Sequence, residues 1–219
     1  MTHTLNSGLG TCRGSHRLLI RPVLAAISLG ATPDVINGAL KAIHRINRNG
    51  DPTDFIATAL PLMGSYKGRM FTGYELEAVG SEQVLLQLLN ADVLKMMNRR
   101  GMLEPMMVKP VLVETGEPGV AFVRNRHVEK LSPGWLRRTE RHALKQGKTL
   151  GPKAFGKREY AKEDVVSLSY GEALLHVAQR PGTYAGEKIM VSTYGFSTMA
   201  SPAILPIMPQ HPPQVNDAA

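Results

Sequence analysis

The sequence predicts an α+β protein, with an N-terminal ferredoxin-like βαββαβ domain followed by a smaller C-terminal part that carries an arginine-rich helix and short strands. Two observations lead to this expectation. Apolar residues of the N-terminal half switch between strand-like runs and helical spacing in the order β-α-β-β-α-β. After about residue 116 the composition changes, because the turn cluster TGEPG precedes a basic block. The expected divisions are an N-terminal extension (1–16), the ferredoxin-like domain (17–115), the C-terminal domain (116–200) and a proline-rich tail (201–219).

The first strand is predicted over residues 18–28, LLIRPVLAAIS, which are apolar and branched enough for a buried position. Thr32 is the predicted N-cap of a helix, and Pro33 is its predicted first residue. Its apolar residues recur at helical spacing up to the stop signal at Asn49 and Gly50. The sequence therefore indicates an amphipathic helix directly after the first strand.

The second half of this domain is predicted in the same way. DFIATALP (54–61) and MFTGYELEAV (70–79) have the composition of two strands, and Ser81 is the expected N-cap of a second helix. A methionine-rich stretch at 96–107 favours adaptable core packing. The last strand of the domain is predicted at 108–115, VKPVLVET.

An arginine-rich helix is predicted in the segment GWLRRTERHALKQG, residues 134–147. Ser132 and Pro133 precede it, and Gly147 occupies the position typical of a residue that ends a helix. Its continuous apolar stripe has three residues, Leu136, Ala143 and Leu144. Further strands are predicted at 165–171, 173–178 and 187–197.

The positive charge of the chain is confined to one region. The net charge is +8, yet residues 124–162 hold twelve Lys or Arg against three Glu, which leaves 14 basic and 15 acidic residues elsewhere. Such a segregated block suits a polyanion such as a nucleic acid, and the alternative is a solvated basic face. With only 5% aromatic residues, the chain lacks the stacking platforms of single-strand binders. A lone arginine-rich helix on a structured RNA stem therefore fits better than other modes.

The composition excludes several other classes. No apolar run is long enough to span a membrane and the N-terminus lacks a secretory signal, so we expect a soluble cytoplasmic protein. Cys12 is the only cysteine, which rules out an intrachain disulfide and a thiolate zinc cluster. Asp51 and Asp54 lie in a turn without further carboxylates. We therefore predict neither a metal site nor a cofactor.

His44 is the candidate general base. It lies beside the apolar stripe of the first helix, close to Arg45 and Arg48. Imidazole titrates at about 6.5 and neighbouring cations disfavour its charged form, so the ring would be mostly neutral and able to accept a proton. Bound RNA would offer the 2′-hydroxyl as the donor. The alternative is a helix histidine without a catalytic role.

The order and spacing of three motifs resemble the repeat-processing CRISPR endoribonucleases of type I-F systems. In that family, an apolar strand with an Arg-Pro-like turn leads to the helix with the catalytic histidine, and a strand ending in Phe-Pro follows. Here LLIRPVL leads to NGALKAIHRINRNG, and ALP ends 17 residues after His44. The family's Arg-x-Gln strand and arginine-rich helix are matched by FVRNRHVEKLSPGWLRRTERHALKQG, and its Tyr-Gly-Leu-Ser by STYGFS. The resemblance covers about residues 17–205.

The resemblance implies site residues and a reaction. His44 would deprotonate the 2′-hydroxyl in a metal-independent cleavage that leaves a cyclic phosphate, with Tyr194 shaping the pocket near the imidazole. Ser169 would position the ribose, with Ser167 as a close rival. The residues implied to bind RNA are Arg124 and Arg126 at the foot of the stem, and Arg137, Arg138, Arg141, His142 and Lys145 along its phosphates. Arg126 stands where the family has glutamine, which changes the base contact there.

The resemblance also implies partners. The RNA would be a CRISPR repeat hairpin, and the protein would stay bound as a subunit of the type I-F surveillance complex, in contact with a backbone subunit. Some such complexes serve transposons rather than defence, and the sequence is compatible with either, so transposition proteins are further candidate partners. The rival hypothesis is a catalytically silent RNA-hairpin-binding subunit in which His44 is incidental.

Overall fold

A computed structural model describes residues 8–129, 133–148, 165–171, 173–186 and 189–206, and it shows a mixed α+β fold whose strands pair antiparallel. The N-terminal elements are β1 (Leu9–Cys12), β2 (His16–Ile20), α1 (Leu24–Ser28), α2 (Thr32–Asn49), β3 (Ala57–Ala59), β4 (Gly64–Tyr66), β5 (Arg69–Phe71), β6 (Leu76–Gly80), α3 (Glu82–Leu89), α4 (Asp92–Arg99) and β7 (Val108–Pro110). Four of these strands form one sheet in the order β3-β6-β2-β7.

The C-terminal elements build a second four-stranded sheet. They are β8 (Pro118–Arg124), α5 (Arg126–Glu129), α6 (Pro133–Lys145), β9 (Val165–Tyr170), β10 (Ala173–Thr183), β11 (Ile189–Ser192) and β12 (Leu205–Pro206). The sheet order is β12-β8-β10-β9, while β11 pairs with β1 instead. Buried residues of both halves, such as Leu18 and Val177, belong to one hydrophobic cluster. The two expected domains therefore share a core.

The prediction of one strand over residues 18–28 is wrong. Strand β2 ends at Ile20, and the second part of the run is helix α1. Pro22 explains the break, because proline has no backbone N–H to donate to the neighbouring strand. It makes only an isolated bridge to Leu103.

The expectation that residues 1–16 form an extension outside the folded part is wrong for its second half. Strand β1 pairs residue by residue with β11, from Leu9 opposite Ser192 to Cys12 opposite Ile189. Gly10 also lets β1 lie close to Phe55, because a Cβ at this position would lie 2.5 Å from the Phe55 ring. The N-terminal strand is thus fixed to the last part of the chain.

The strand predicted over 70–79 is two strands. Strand β5 pairs with β4 in a separate hairpin, whereas β6 lies in the main sheet. Gly73, with a φ of +78°, separates them, and a Cβ there would collide with Leu62. A left-handed backbone angle of this kind interrupts strand geometry. Strand β7 is likewise shorter than the predicted run 108–115.

Both helices predicted from local start and stop signals are present, but the expected N-cap of the first one is wrong: Ala31 holds that position in α2, no side chain caps the helix start, and Thr32 is already helical. The Ser81 hydroxyl accepts a hydrogen bond from the Val84 N–H at 3.3 Å at the start of α3. Helix α2 begins at Thr32 and ends at Asn49. None of the described helices combines the length and apolar character needed to cross a membrane.

The arginine-rich helix is also present, as α6. Gly147 follows it with a φ of +65°, as expected of a residue that ends a helix. The predicted apolar stripe is not buried where the structure describes it, since Leu144 is 64% exposed. Its basic residues are exposed: Arg137, Arg138, Arg141, His142 and Lys145. In the described part of the chain, α6 makes no extensive contact with another helix or strand.

Candidate active site

Three aromatic rings from distant parts of the chain contact one another. His44 of α2 stacks on Tyr194 with ring centroids 4.2 Å apart and an interplanar angle of 12°. Tyr170, the last residue of β9, contacts both rings edge-on, at 5.3 Å from His44 and 4.9 Å from Tyr194. These distances and angles are those of favourable aromatic pairs. The imidazole is therefore held on its face and on its edge.

The ring cluster borders an open cleft of about 720 Å³. Arg124 lies over the Tyr194 ring, with its Cζ 4.9 Å from the centroid. Arg48 and Arg126 also line the cleft, whereas no carboxylate does so within the described ranges. The cleft lining also includes apolar side chains, such as Leu9 and Met199, and hydroxyl-bearing ones, such as Thr198. This cleft favours an anionic ligand.

The electrostatic environment keeps His44 neutral. Burial is the main cause that lowers its pKa from the ordinary value, and the charges of Arg48 and Arg124 lower it further, while the backbone of Thr193 partly offsets these effects. The Nδ1 atom is buried without a hydrogen-bond partner in the described part of the chain. Buried polar atoms without partners are uncommon and often belong to functional sites. The lowered pKa favours the neutral form of the ring.

The Tyr194 loop is held against β3 by its backbone. The Thr58 N–H donates to the Gly195 carbonyl at 2.9 Å, and the Thr58 hydroxyl donates to the Tyr194 carbonyl at 3.0 Å. Gly195 has a φ of +80°, and a Cβ there would lie 2.8 Å from the Thr58 nitrogen and in collision with its hydroxyl. Glycine at position 195 is therefore required for the close approach of this loop to the strand.

Asn47 ties the helix of His44 to the same loop. Its amide donates to the Ile56 carbonyl at 2.9 Å and to the Thr193 carbonyl at 3.2 Å, and its oxygen accepts from the Ile56 N–H at 2.8 Å. Asn47 is 1% exposed. The distance between α2 and Tyr194 is thus fixed by a buried polar residue.

The two serines proposed for ribose positioning lie outside the cleft. In β9, Val166 and Leu168 are buried and Tyr170 reaches His44, whereas Ser167 and Ser169 are exposed. Alternating residues of a strand face opposite sides of the sheet, so both serines lie on the side away from the imidazole. Ser167 hydrogen-bonds His176 of β10 at 3.0 Å. Hydroxyls near the imidazole come instead from Ser192, Thr193, Ser197 and Thr198.

The residues expected to bind RNA are divided between two places. Arg124 and Arg126 line the His44 cleft. The backbone N–H of Arg124 donates to the Ser197 carbonyl at 3.0 Å, which joins the end of β8 to the segment after Tyr194. The basic residues of α6 are exposed on a helix that starts seven residues after Arg126. Arg124 and Arg126 thus belong to the cleft of the imidazole, whereas the basic residues of α6 whose burial is described are exposed outside it.

Sequence reasoning missed Tyr170 and assigned no role to Arg48. Tyr170 directly follows the serine that was chosen, in the same segment SLSYG. Arg48 carries a local signal, because it follows His44 by four positions and therefore shares its helix face. Within the described ranges, no group of three or more His, Cys, Asp or Glu side chains is placed to hold a metal ion.

Comparison with known proteins assigns no family: no protein-family model matches the chain, and no curated protein is similar to it at a significant level.

Proposed function

We propose that this protein is a metal-independent endoribonuclease that binds an RNA hairpin and cleaves it at the 3′ side of the stem. The observation that carries the proposal is the His44 ring, which is stacked on Tyr194 in a cleft lined by arginines and whose pKa lies below its ordinary value. A neutral imidazole beside bound phosphate is suited to accept a proton from a 2′-hydroxyl. A cationic cleft concentrates the polyanion that carries this hydroxyl.

The proposed reaction is an internal transesterification. The imidazole of His44 takes the 2′-hydroxyl proton while the 2′-oxygen forms a bond to the adjacent phosphorus. The bond from phosphorus to the 5′-oxygen of the next nucleotide breaks, and that oxygen takes a proton from water. The products are a 2′,3′-cyclic phosphate and a 5′-hydroxyl. The imidazolium then returns its proton to solvent, so that atoms and charge balance over the cycle.

The proposed substrate is the repeat hairpin of a CRISPR transcript. The order of the three motifs supports this, as does the exposed basic face of α6, which suits the phosphates of a stem. The sheet order β3-β6-β2-β7, with two helical segments between its strands, supports a ferredoxin-like assignment for the N-terminal half. This scaffold alone does not specify a function.

The protein would remain on its product as a subunit of a type I-F complex, beside a backbone subunit. Retention follows if most of the affinity comes from charge contacts between α6 and the stem, because these contacts are unchanged by the cut. The complex would serve defence or, with transposition proteins as partners, a transposon.

A catalytically silent hairpin-binding subunit is the second candidate. It is favoured by the position of Ser167 and Ser169 on the exposed side of β9, which leaves the cleft without either serine expected to hold the ribose. In that case the arginines of the cleft would bind RNA and His44 would serve packing alone.

Cleavage of a hairpin repeat RNA in EDTA separates the two candidates. The wild type should cleave and His44→Ala should not, because no other residue would take the proton. His16→Ala is the matched control, since His16 belongs to β2 and does not line the cleft. Equal cleavage by wild type and His44→Ala would contradict the catalytic assignment, and tight binding without any cleavage would establish the silent subunit.

A further inference from the structure

Arg48 is placed to act on the same ligand as His44. The two residues are four positions apart on α2, so their side chains project from one face of a continuous helix. Both line the cleft. The charge of Arg48 contributes to the lowered pKa of His44 and opposes the rise in the pKa of Tyr170. The guanidinium is therefore close to the ring cluster.

The charge of Arg48 is not neutralised by a carboxylate in the described ranges. The ion pairs found there belong to Arg17 and Arg21, which contact acidic residues of the N-terminal sheet region. The cleft itself has no acidic lining residue in the described part of the chain. A cation in the last turn of a helix also interacts favourably with the helix dipole, which is the simplest alternative role for Arg48. Arg45 offers a comparison, because it is exposed on the same helix but does not line the cleft.

We propose that Arg48 is a catalytic residue that binds the non-bridging oxygens of the phosphate being cleaved and stabilises the charge that develops there. This inference rests on the proposed function. The 2′-hydroxyl and the phosphate that it attacks are adjacent groups of one nucleotide linkage, and neighbouring positions on a helix face are separated by about 5–6 Å. A base and a cation at such positions can engage the two groups together.

A cation at this position would accelerate the reaction. When the 2′-oxygen attacks phosphorus, five oxygens surround it and negative charge grows on the two that bridge nothing. A guanidinium donates two parallel N–H groups to such oxygens and cannot lose its proton at neutral pH. Arg124 is less suited, because its guanidinium lies over the Tyr194 ring. Arg126 lies on a different element, α5, whereas Arg48 shares a rigid helix with the base.

Single-turnover cleavage with protein in excess over the RNA tests the proposal. Arg48→Ala should cleave about 10²–10³-fold more slowly, the range typical of losing one preorganised donor to a developing oxyanion. The Kd for a hairpin with a 2′-deoxy nucleotide at the cleavage site should change by only a few fold, because in the proposed complex α6 would supply most phosphate contacts. Arg45→Ala should retain the cleavage rate and the Kd of the wild type. Arg48→Lys should cleave faster than Arg48→Ala but more slowly than the wild type. A rate for Arg48→Ala that is unchanged, or restored by saturating protein, would overturn the assignment.

A second measurement does not depend on cleavage. Binding of inorganic phosphate next to His44 should raise the pKa of the imidazole, which can be followed by NMR titration of its ring protons. The wild type and Arg45→Ala should show this increase, and Arg48→Ala should not. If the wild type cleaves no RNA, the proposed function fails, yet loss of the phosphate effect in Arg48→Ala would still establish the anion site. An equal phosphate effect in all three proteins would refute the inference about Arg48.

Discussion

Replacing Asn47 by alanine should destabilise the protein and loosen the site at the same time. The side chain makes three buried hydrogen bonds, two with the backbone of Ile56 and one with the Thr193 carbonyl. Alanine removes all three and leaves these backbone groups without the amide that they contact. His44 lies one turn earlier on the same helix, and Tyr194 directly follows Thr193. The substitution therefore acts on the elements that carry the two stacked rings.

The magnitude follows from the number of groups affected. A buried donor or acceptor that loses its partner costs about 1–3 kcal/mol, and relaxation of the helix end recovers a part of the sum. We therefore expect a decrease of about 3–5 kcal/mol in the free energy of unfolding. This is a large fraction of the roughly 5–15 kcal/mol that folded proteins have in total.

Urea denaturation at pH 7, followed by circular dichroism, measures this change. Asn49→Ala is the matched control, because Asn49 is exposed at the end of the same helix and its loss should cost no more than about 0.5 kcal/mol. In Asn47→Ala the pKa of His44 should also move towards its ordinary value as the ring loses its packing. A free energy of unfolding equal to that of Asn49→Ala would refute the role given to the Asn47 hydrogen bonds.

Two further predictions concern ionisable groups. Burial raises the pKa of Glu77 to about 7, although Arg17 lies 3.2 Å away, so folding favours the protonated carboxyl. The protonated carboxyl therefore contributes to the free energy of unfolding. This contribution is fully present below about pH 4.5 and is lost as the pH rises through 7, so the free energy of unfolding should fall by about 3 kcal/mol by pH 8. In pH-dependent urea denaturation, Glu77→Gln should lack this slope and exposed Glu82→Gln should keep it; a slope that persists in Glu77→Gln would contradict the assignment. Tyr170→Leu should raise the pKa of His44 in an NMR titration by exposing the ring, while Tyr170→Phe should leave it unchanged, and an unaltered value in both variants would show that the edge contact does not matter.

Local signals were sufficient for much of the helical structure. The Ser81 cap, the extent of α2 and the glycine after α6 depend on residues within one or two turns of each other. Such signals act through neighbouring backbone groups and can be recognised without tertiary information. The charge of α6 is equally visible in the sequence, because it follows from residue identity alone.

Strand pairing could not be inferred in this way. The run 18–28 is apolar throughout, and its division into β2 and α1 depends on the partners that each half meets. Strand β1 is paired with β11, which lies about 180 residues later. An apolar run has no intrinsic preference that would decide between these arrangements, since β propensity mainly reflects packing against neighbours.

The sequence by itself determined where the positive charge lies and which segment forms the basic helix, and it made His44 and the Tyr-Gly pair candidates for a site. Only the tertiary structure decided which side chains surround the imidazole, because Tyr170 and Tyr194 are 126 and 150 residues away from His44. The register of β9 determines whether Tyr170 or Ser169 lies beside the ring. Side chains alternate between the two faces of a strand, so a shift of one residue would replace Tyr170 by Ser169 there. That register is set by pairing with β10 and by the shared core, and neither is encoded near the motif itself.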